Sequence, residues 1–227
     1  LIGLVGSEMC IRDRLCRMPE CLISTYQDNM PLAAELKADF EWAKSIAVGP
    51  GLSMNVAAAE ITRCVLERDD KVRILDADAL NIIAGEHIDY KGSREGQIII
   101  TPHIMEMSRL TGKAVADIKE HMIESAKEYA IQHSCICILK DARTVVTDGQ
   151  KVYINCTGND GMSTGGCGDV LTGLIAGMTA MGLDAFEAAC LSVYVHGKAG
   201  DYAASGKGRA GMTAADVSEA IAYVLKR

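Results

Sequence analysis

Short apolar segments alternate with amphipathic segments along this 227-residue chain, and the alternation constrains its fold more than any single motif. Apolar runs that end in polar residues or glycine predict four buried strands, at 45–48, 72–75, 97–100 and 134–139. The clearest helical pattern between them has one apolar face, formed by Val115, Ile118, Met122, Ala126 and Tyr129. A strand–helix–strand order of this kind predicts a mostly parallel sheet covered by helices on both faces.

The C-terminal half adds a hairpin and a helical region to this pattern. Segments 144–147 and 151–154 flank Asp148-Gly149-Gln150, which predicts an antiparallel hairpin. From Asp169 onward the pattern is mostly helical, and frequent Gly and Ala suit close helix packing. Because no repeat or linker interrupts the chain, we predict one α/β domain. Ligands in open sheets of this type bind beyond the carboxyl ends of the strands, so polar residues there are the candidates for function.

The composition argues against several classes of protein. There are 23 Lys and Arg against 30 Asp and Glu, a net charge of −7, and the basic residues form no stripe that would bind nucleic acid. No run approaches the roughly 18 apolar residues of a membrane helix. Nine cysteines, an odd number without a C-x-x-C pair, indicate reduced thiols, and we expect Cys135 and Cys137 to pack on one strand face rather than bind metal. We therefore expect a soluble, cytoplasmic protein.

The first residues are unusual for a natural domain. Residues 1–14 lack the basic region, apolar stretch and cleavage site of a signal peptide. The string 5–14, Val-Gly-Ser-Glu-Met-Cys-Ile-Arg-Asp-Arg, resembles a translated sequencing adaptor. We expect residues 1–14 to be foreign to the protein and residues 15–227 to form the single domain. An ordinary N-terminal strand is the alternative.

The strongest local signal is a glycine-rich approach to a predicted helix, with glycines at 158, 161, 165, 166 and 168. Glycine allows backbone N–H groups to point inward, and a helix N-terminus adds partial positive charge, so this segment predicts a phosphate site. It is neither a Walker loop nor a G-x-G-x-x-G motif. Asp169 at its end is either a helix N-cap or a carboxylate placed to take a proton from a hydroxyl that attacks phosphorus.

Residues 157–169, Thr-Gly-Asn-Asp-Gly-Met-Ser-Thr-Gly-Gly-Cys-Gly-Asp, resemble the signature of the ADP/ATP-dependent NAD(P)H-hydrate dehydratases of the ribokinase-like superfamily. Further segments agree in the same order: Gly49-Pro-Gly-Leu52, Asp76-Ala-Asp-Ala-Leu80, Thr101-Pro-His103 with Glu106, Lys140 through Thr144, and His196-Gly-Lys-Ala-Gly-Asp201. The resemblance extends from about residue 19 to the C-terminus. It implies a ribokinase-like three-layer sandwich that lacks the family's first strand and its glycine-rich loop.

The resemblance also implies a reaction, in which ADP or ATP phosphorylates the added hydroxyl of hydrated NADH or NADPH and phosphate then leaves. Asp169 would be the base, and Mg²⁺ would accompany the nucleotide without a protein-only metal site. The substrate would contact Gly51, His103, Asp169 and Asp78. The nucleotide would contact Lys140, Asp141, Ala142, Arg143, Thr144, Gly165, Gly166 and Gly168. Family likeness also suggests a homo-oligomer.

Each of these assignments has a structural alternative. Gly51 could belong to a strand-ending turn, His103 to a surface turn, and Asp78 could cap a helix that starts at residue 79. Lys140 could be solvated, and His196 is better explained as a packed histidine than as a catalyst.

The sequence also departs from the family pattern. Cys167 replaces the usual Thr or Ser, which predicts a weaker phosphate contact because a thiol is a poor donor. Asp141 replaces a glycine, and its carboxylate would repel phosphate if it pointed inward. Ile104-Met105 replaces the usual Pro-Gly. Two alternative functions therefore stay open: a small-molecule kinase of the same fold, acting on a vitamin precursor or sugar alcohol, and a nucleotide-binding module without catalysis.

Overall fold

The computed structural model describes residues 3–4, 21–23, 32–92 and 97–226. Its strands are β1 (Gly3–Leu4), β2 (Leu22–Ile23), β3 (Ser45–Val48), β4 (Val72–Leu75), β5 (Ile98–Ile100), β6 (Ile136–Leu139), β7 (Val145–Thr147) and β8 (Val152–Ile154). Its helices are α1 (Leu32–Glu35), α2 (Lys37–Trp42), α3 (Val56–Leu66), α4 (Ala77–Gly85), α5 (Ile104–Thr111), α6 (Val115–Glu120), α7 (Met122–His133), α8 (Cys167–Ala180), α9 (Ala185–Lys207) and α10 (Ala214–Val224). A 3₁₀ turn, Asp160–Met162, precedes α8.

Strands β3 to β8 form one six-stranded sheet in sequence order. The pairs from β3 to β6 are parallel, and β7 and β8 are added as an antiparallel hairpin. This arrangement confirms the predicted α/β class, the mostly parallel sheet and the hairpin. Because successive parallel strands are neighbours, their carboxyl ends form one continuous edge.

Two residues of the segment 1–14, which is predicted to be foreign, form a short strand. Gly3 and Leu4 pair in parallel with Leu22 and Ile23, outside the main sheet. The rest of residues 1–14 lies outside the described residues, so their foreign origin stays a prediction. Within the described ranges, no helix is both long enough and apolar enough to cross a membrane.

Side chains of the central strands alternate between two apolar layers. On β6, Ile136 and Ile138 pack against α8 and α9, whereas Cys137 and Leu139 join the cluster under α3, α4, α5 and α7. Cys135, which precedes β6, lies in that same second cluster and is 2% exposed. Alternation on a doubly covered strand therefore confirms the packing expected for Cys135 and Cys137, and it places helices on both faces of the sheet.

Two element boundaries differ from the predicted pattern. The apolar spacing of residues 115–129 spans two helices, because His121 leaves the helical conformation at φ −126°, ψ 50°. Ile118 and Tyr129 are nevertheless both buried, since the spacing specifies which face is covered rather than an unbroken backbone. Helix α8 starts at Cys167 with Gly166 as its N-cap, so Asp169 lies in the first turn and is not the cap.

The turn after β3 tests how tightly this sheet edge is packed. Gly49 has φ +125°, and a Cβ at this position would overlap the carbonyl oxygen of Asp76. We expect Gly49→Ala to lower the free energy of unfolding by about 3 kcal/mol, because backbone strain and overpacking act together. Urea unfolding followed by circular dichroism measures this loss.

The matched control is Gly173→Ala, since Gly173 is exposed inside α8 and a Cβ there meets nothing within 4 Å. This control should stabilise the protein by about 0.5 to 1 kcal/mol, as alanine favours helix. Equal effects of the two substitutions would contradict the close approach at Gly49.

Candidate active site

Three strands deliver polar residues to the same edge of the sheet. Asp76 follows β4, Thr101 follows β5 and Lys140 follows β6. The Lys140 N–H donates to the Pro102 carbonyl at 2.8 Å, and a parallel bridge joins His103 to Lys140. The β5–β6 ladder therefore continues past the strands, and it holds the segments after β5 and β6 side by side.

An ion pair lies at the centre of this edge. Lys140 Nζ donates to Asp76 Oδ1 at 2.8 Å, and Thr172 Oγ1 donates to Asp76 Oδ2 at 2.7 Å. Asp76 is 1% exposed. Burial alone would raise the pKa of Asp76, but the charge of Lys140 and the hydrogen bonds outweigh it and hold that pKa below its usual value. Asp76 is thus an ionised carboxylate that ties β4, β6 and α8 together.

The start of α8 lies directly against this ion pair. Gly166 adopts φ +90° as the N-cap, and a Cβ placed on Gly168 would lie 3.4 Å from Lys140 Nζ. The first-turn N–H groups of a helix lack partners within the helix and carry partial positive charge. Together with Lys140 they form a compact site for an anion. Asp169 is exposed in the same first turn.

The glycine-rich segment before α8 is held by its own polar contacts. Asp201 on α9 accepts the Gly158 N–H at 3.1 Å and the Asn159 side-chain amide at 3.0 Å. Asn155 Oδ1 accepts the Thr157 hydroxyl at 2.9 Å. These contacts hold the approach to α8, and they give Asp201 of the His196–Asp201 motif a structural role.

His103 is a helix cap at this edge. Its Nδ1 accepts the backbone N–H groups of Met105 and Glu106, each at 3.1 Å, and Glu106 Oε2 accepts the His103 N–H at 2.8 Å. Glu106 is 5% exposed, and burial raises its pKa although the positive charge of Lys140 opposes this. His103 is therefore not a loose surface-turn residue, and the bridge to Lys140 places it beside the anion site.

Gly51 and Asp78 lie on neighbouring segments of the same edge. Asp78 Oδ2 accepts the Ser53 N–H at 2.8 Å, which ties the turn after β3 to the first turn of α4. Gly51 sits in that turn with φ +67°. The alternative in which Asp78 caps a helix is wrong, because α4 starts at Ala77 and Asp76 holds the N-cap position.

The segment 140–144 forms the turn that leads from β6 to β7. Lys140 is half-buried, whereas Asp141, Ala142 and Arg143 are exposed. Thr144 Oγ1 donates to the Asp141 carbonyl at 3.2 Å and so closes the turn. Of the residues predicted to bind nucleotide, the structure brings Lys140 and Gly168 into direct proximity. Lys140 is paired with Asp76 rather than merely solvated.

Cys167 differs from its expected role. It is 5% exposed and belongs to an apolar cluster with Ala199, Met212 and Val217, so it packs between helices. Burial, together with the charge of Asp169, raises the pKa of its thiol. The expected weakened phosphate contact is therefore replaced by a packing role. Asp141, the second departure from the family pattern, is exposed, so its carboxylate is open to solvent.

Thr172 carried little signal in the sequence, whereas His196 was predicted to be a packed histidine. Thr172 contacts Asp76 across 96 positions of the chain, and only its place one helical turn after Asp169 could have suggested a role. His196 has a buried Nε2 without a hydrogen-bond partner in the part of the chain that the structure describes. Burial lowers the pKa of His196 to about 4, so it is a neutral, packed histidine as predicted.

The sheet order, the glycine-rich helix start and the buried ion pair together define a ribokinase-like α/β protein. A family model described as NAD(P)H-hydrate dehydratase (Carb_kinase) matches residues 5–223. The chain therefore belongs to the NAD(P)H-hydrate dehydratase family. This match begins inside residues 1–14.

Individual relatives agree with this assignment. The bifunctional NAD(P)H-hydrate repair enzyme Nnr of Moorella thermoacetica is 45% identical over 183 residues, which cover 80% of this chain and 34% of the relative. The ADP-dependent (S)-NAD(P)H-hydrate dehydratase of Neisseria meningitidis is 32% identical over 92% of this chain and 72% of the relative. The chain thus spans about a third of the bifunctional relative and most of the shorter one.

A solved structure supports the same fold. It is the crystal structure of the ADP/ATP-dependent NAD(P)H-hydrate dehydratase from Bacillus subtilis, a protein that was co-crystallized with ATP/Mg²⁺ and soaked with CoA. It superposes with a TM-score of 0.81 at 30% identity, over 99% of this chain and 80% of that one. The predicted ribokinase-like fold is therefore confirmed.

The ion pair predicts a specific dependence of stability on pH. Because the pKa of Asp76 is lower in the folded chain, its stabilisation is present above the ordinary Asp pKa of about 3.9 and is lost as the pH falls through the folded-state value. We expect Asp76→Asn to cost about 2 kcal/mol at neutral pH, because Lys140 loses its counter-charge. It should also flatten the loss of stability below about pH 4.

Urea unfolding at neutral and acidic pH measures both effects. The control is Glu120→Gln, which removes an exposed carboxylate at the end of α6 and should keep the wild-type pH dependence. An Asp76→Asn variant with the same acid sensitivity as the wild type would contradict the assigned pairing.

The packing of Cys167 gives an equally direct prediction. Cys167→Ser places a hydroxyl in the apolar cluster, so it should lower the free energy of unfolding by about 1 to 2 kcal/mol. It should leave nucleotide affinity within about twofold, since no phosphate contact is altered. Calorimetric titration of ADP and urea unfolding separate these outcomes. A marked gain in nucleotide affinity would show that the side chain does reach the phosphate.

Proposed function

We propose that the chain catalyses the ADP- or ATP-dependent dehydration of hydrated NADH or NADPH, which restores the reduced cofactor. The observation that carries this proposal is the convergence of the Asp76–Lys140 pair with the first turn of α8, which also holds Asp169. Such a site has donors for a transferring phosphoryl group and a carboxylate next to them. Membership of the dehydratase family supports this substrate over other alcohols.

Asp169 acts as the base in the first step. Its carboxylate takes the proton of the added hydroxyl while that oxygen forms a bond to phosphorus and the bond to the nucleotide breaks. The N-terminal position on α8 favours the ionised carboxylate before the proton is transferred. In the second step phosphate leaves with its bonding electrons and the neighbouring ring carbon loses a proton, so the ring double bond is restored.

Backbone and lysine donors hold the phosphoryl group during this transfer. The N–H groups around Gly166 and Gly168 belong to the helix start, and Lys140 Nζ lies 3.4 Å from the position that a Cβ on Gly168 would take. Preorganised donors of this kind stabilise charge without moving at the moment of reaction. We assign Gly165 and the turn 141–144 to the remainder of the nucleotide, since Gly165 immediately precedes the N-cap of α8 and the turn directly follows Lys140.

Gly51, Asp78 and His103 bind the hydrated cofactor in this proposal. Gly51 and Asp78 are tied together through Ser53, and His103 lies beside Lys140. Their segments follow β3, β4 and β5, so the substrate lies across the strand ends with its hydroxyl directed to Asp169.

Mg²⁺ fits this site as a companion of the nucleotide. Among the described residues, no group of three or more His, Cys, Asp or Glu could hold a metal ion by itself. Mg²⁺ usually needs only one or two carboxylates together with substrate phosphates. The nucleotide phosphates would hold the ion, because the buried carboxylate at this edge, Asp76, already has its two oxygens engaged by Lys140 and Thr172. The ion would neutralise charge on the phosphoryl oxygens.

The domain bounds, location and partners of the enzyme are further parts of this proposal. We propose that residues 15–227 form the catalytic domain and that it works in the cytoplasm, since all seven cysteines in the described ranges are free. The net charge of −7 argues against nucleic acid as a partner, and the partners we propose are hydrated NADH or NADPH and an adenine nucleotide, without a membrane. Assembly into a homo-oligomer is a further proposal, which sedimentation velocity tests.

Asp169→Asn tests the base directly. We expect kcat for restoring NADH absorbance from hydrated NADH to fall about 10³-fold, while nucleotide binding is retained. Glu187→Gln is the matched control, because Glu187 is also an acid in a helical first turn, that of α9. Undiminished turnover in Asp169→Asn would refute the assigned role.

The wild-type reaction distinguishes the alternative functions. Restored NADH with release of phosphate supports the dehydratase. A stable phosphorylated product would instead indicate a kinase of the same fold. Thermal stabilisation by ADP without any product would indicate a binding module that lacks catalysis.

A further inference from the structure

The protonation of the His103 ring is determined by the backbone around it. Nδ1 accepts the N–H groups of both Met105 and Glu106, at 3.1 Å each. A ring nitrogen that accepts hydrogen bonds carries no proton, so the proton of the neutral imidazole is on Nε2. His103 therefore has no free basic nitrogen, and its remaining polar group is a donor.

Glu106 contacts His103 twice from a buried position. One carboxylate oxygen accepts the His103 backbone N–H at 2.8 Å, and the other lies 3.4 Å from Nε2. The Glu106 side chain is 6% exposed, whereas that of His103 is 48% exposed. The Glu106 carboxylate is thus buried next to the ring, and about half of the His103 side chain remains accessible to a ligand.

The Nε2–H donor keeps capacity for a ligand. The approach to Glu106 is an electrostatic contact, and the hydrogen bonds of Glu106 within the described chain go to the His103 backbone instead. The backbone bridge to Lys140 places the His103 segment beside the anion site. An acceptor oxygen of a bound substrate can therefore take this hydrogen bond.

We propose that Glu106 is a positioning residue. By accepting the His103 N–H it holds the cap in which Nδ1 accepts the two backbone N–H groups, and it thereby keeps His103 as the Nε2–H tautomer, whose donor serves an acceptor oxygen of the substrate. The substrate in this inference is the hydrated cofactor of the proposed function. Glu106 acts through His103 and does not touch the reacting hydroxyl. His103 contributes to binding as a donor and takes no part in proton transfer.

Nitrogen NMR of the full chain labelled with ¹⁵N-histidine tests the tautomer. The His103 signals are assigned by their absence in His103→Asn. We expect a protonated Nε2 and an unprotonated Nδ1 in the wild type and in Glu106→Gln, which keeps an acceptor for the backbone cap. Glu106→Ala should show a mixture of tautomers. A protonated Nδ1 in the wild type, or an unchanged ring in Glu106→Ala, would overturn the proposal.

Kinetics test the positioning role separately. Glu106→Ala should raise KM for the hydrated cofactor about fivefold, the loss of roughly one hydrogen bond, while kcat and the nucleotide KM stay within about twofold. Glu106→Gln should recover most of that loss. Glu124→Ala, at an exposed acid in the first turn of α7, is the control and should change neither constant. If both the Ala and the Gln variant instead lowered kcat and raised both KM values to the same extent, Glu106 would have a merely structural role and the proposal would be overturned.

Failure of the proposed function would give a different result from failure of the proposal about Glu106. A wild-type chain that does not convert hydrated NADH would refute the dehydratase activity while leaving the NMR outcome intact. The tautomer in Glu106→Ala then decides alone whether Glu106 fixes the ring.

Discussion

The ion pair between Lys140 and Asp76 is the interaction on which the rest of this sheet edge depends. Asp76 is 1% exposed and remains charged because Lys140 and Thr172 satisfy its two oxygens. A buried charge without such partners would cost several kcal/mol. The pair joins β4, β6 and α8. A Cβ at Gly49 would overlap the backbone carbonyl oxygen of Asp76, whereas a Cβ at Gly168 would make only ordinary contact with Lys140 Nζ. Close backbone packing at this edge therefore requires glycine at position 49, whereas the ion pair does not by itself require glycine at position 168.

The same pair resolves the contrast between an acidic protein and a polyanionic ligand. A net charge of −7 opposes phosphate only weakly at short range, because exposed charges are screened within about 8 to 10 Å at ordinary salt. At the helix start, by contrast, the donors are within a few ångströms of the ligand. Lys140 is only 21% exposed and is pre-positioned by Asp76, so its charge acts where solvent screens least. Local geometry, and not the overall field, accounts for anion binding.

Much of the fold could be predicted because apolar runs report burial directly. Strands β3 and β4 have the predicted bounds, 45–48 and 72–75, and the hairpin is where Asp148-Gly149-Gln150 indicated it. Contacts between distant segments could not be predicted in this way. Thr172 meets Asp76 across 96 positions, and that contact exists only because α8 lies against β4 once the sheet is assembled. The break at His121 also left no mark on the apolar spacing, since both flanking helices bury the same face. The burial of Cys167 was not predicted, because residue type pointed to a phosphate contact, whereas its direction from the helix places it in an apolar cluster.

His103 shows that a capping role and a binding role need not be alternatives. A site assembled at strand ends is surrounded by the starts of the helices that follow those strands, here α4, α5 and α8. Helix starts need caps, so residues closest to the ligand are also those that satisfy free backbone N–H groups. His103 meets that need through Nδ1, and this leaves Nε2–H as its group for a ligand. The cap thereby selects the chemistry of the side chain. Replacing such a residue changes helix stability and ligand binding together, which is why the test of Glu106 depends on the ring tautomer and on the separation of KM from kcat.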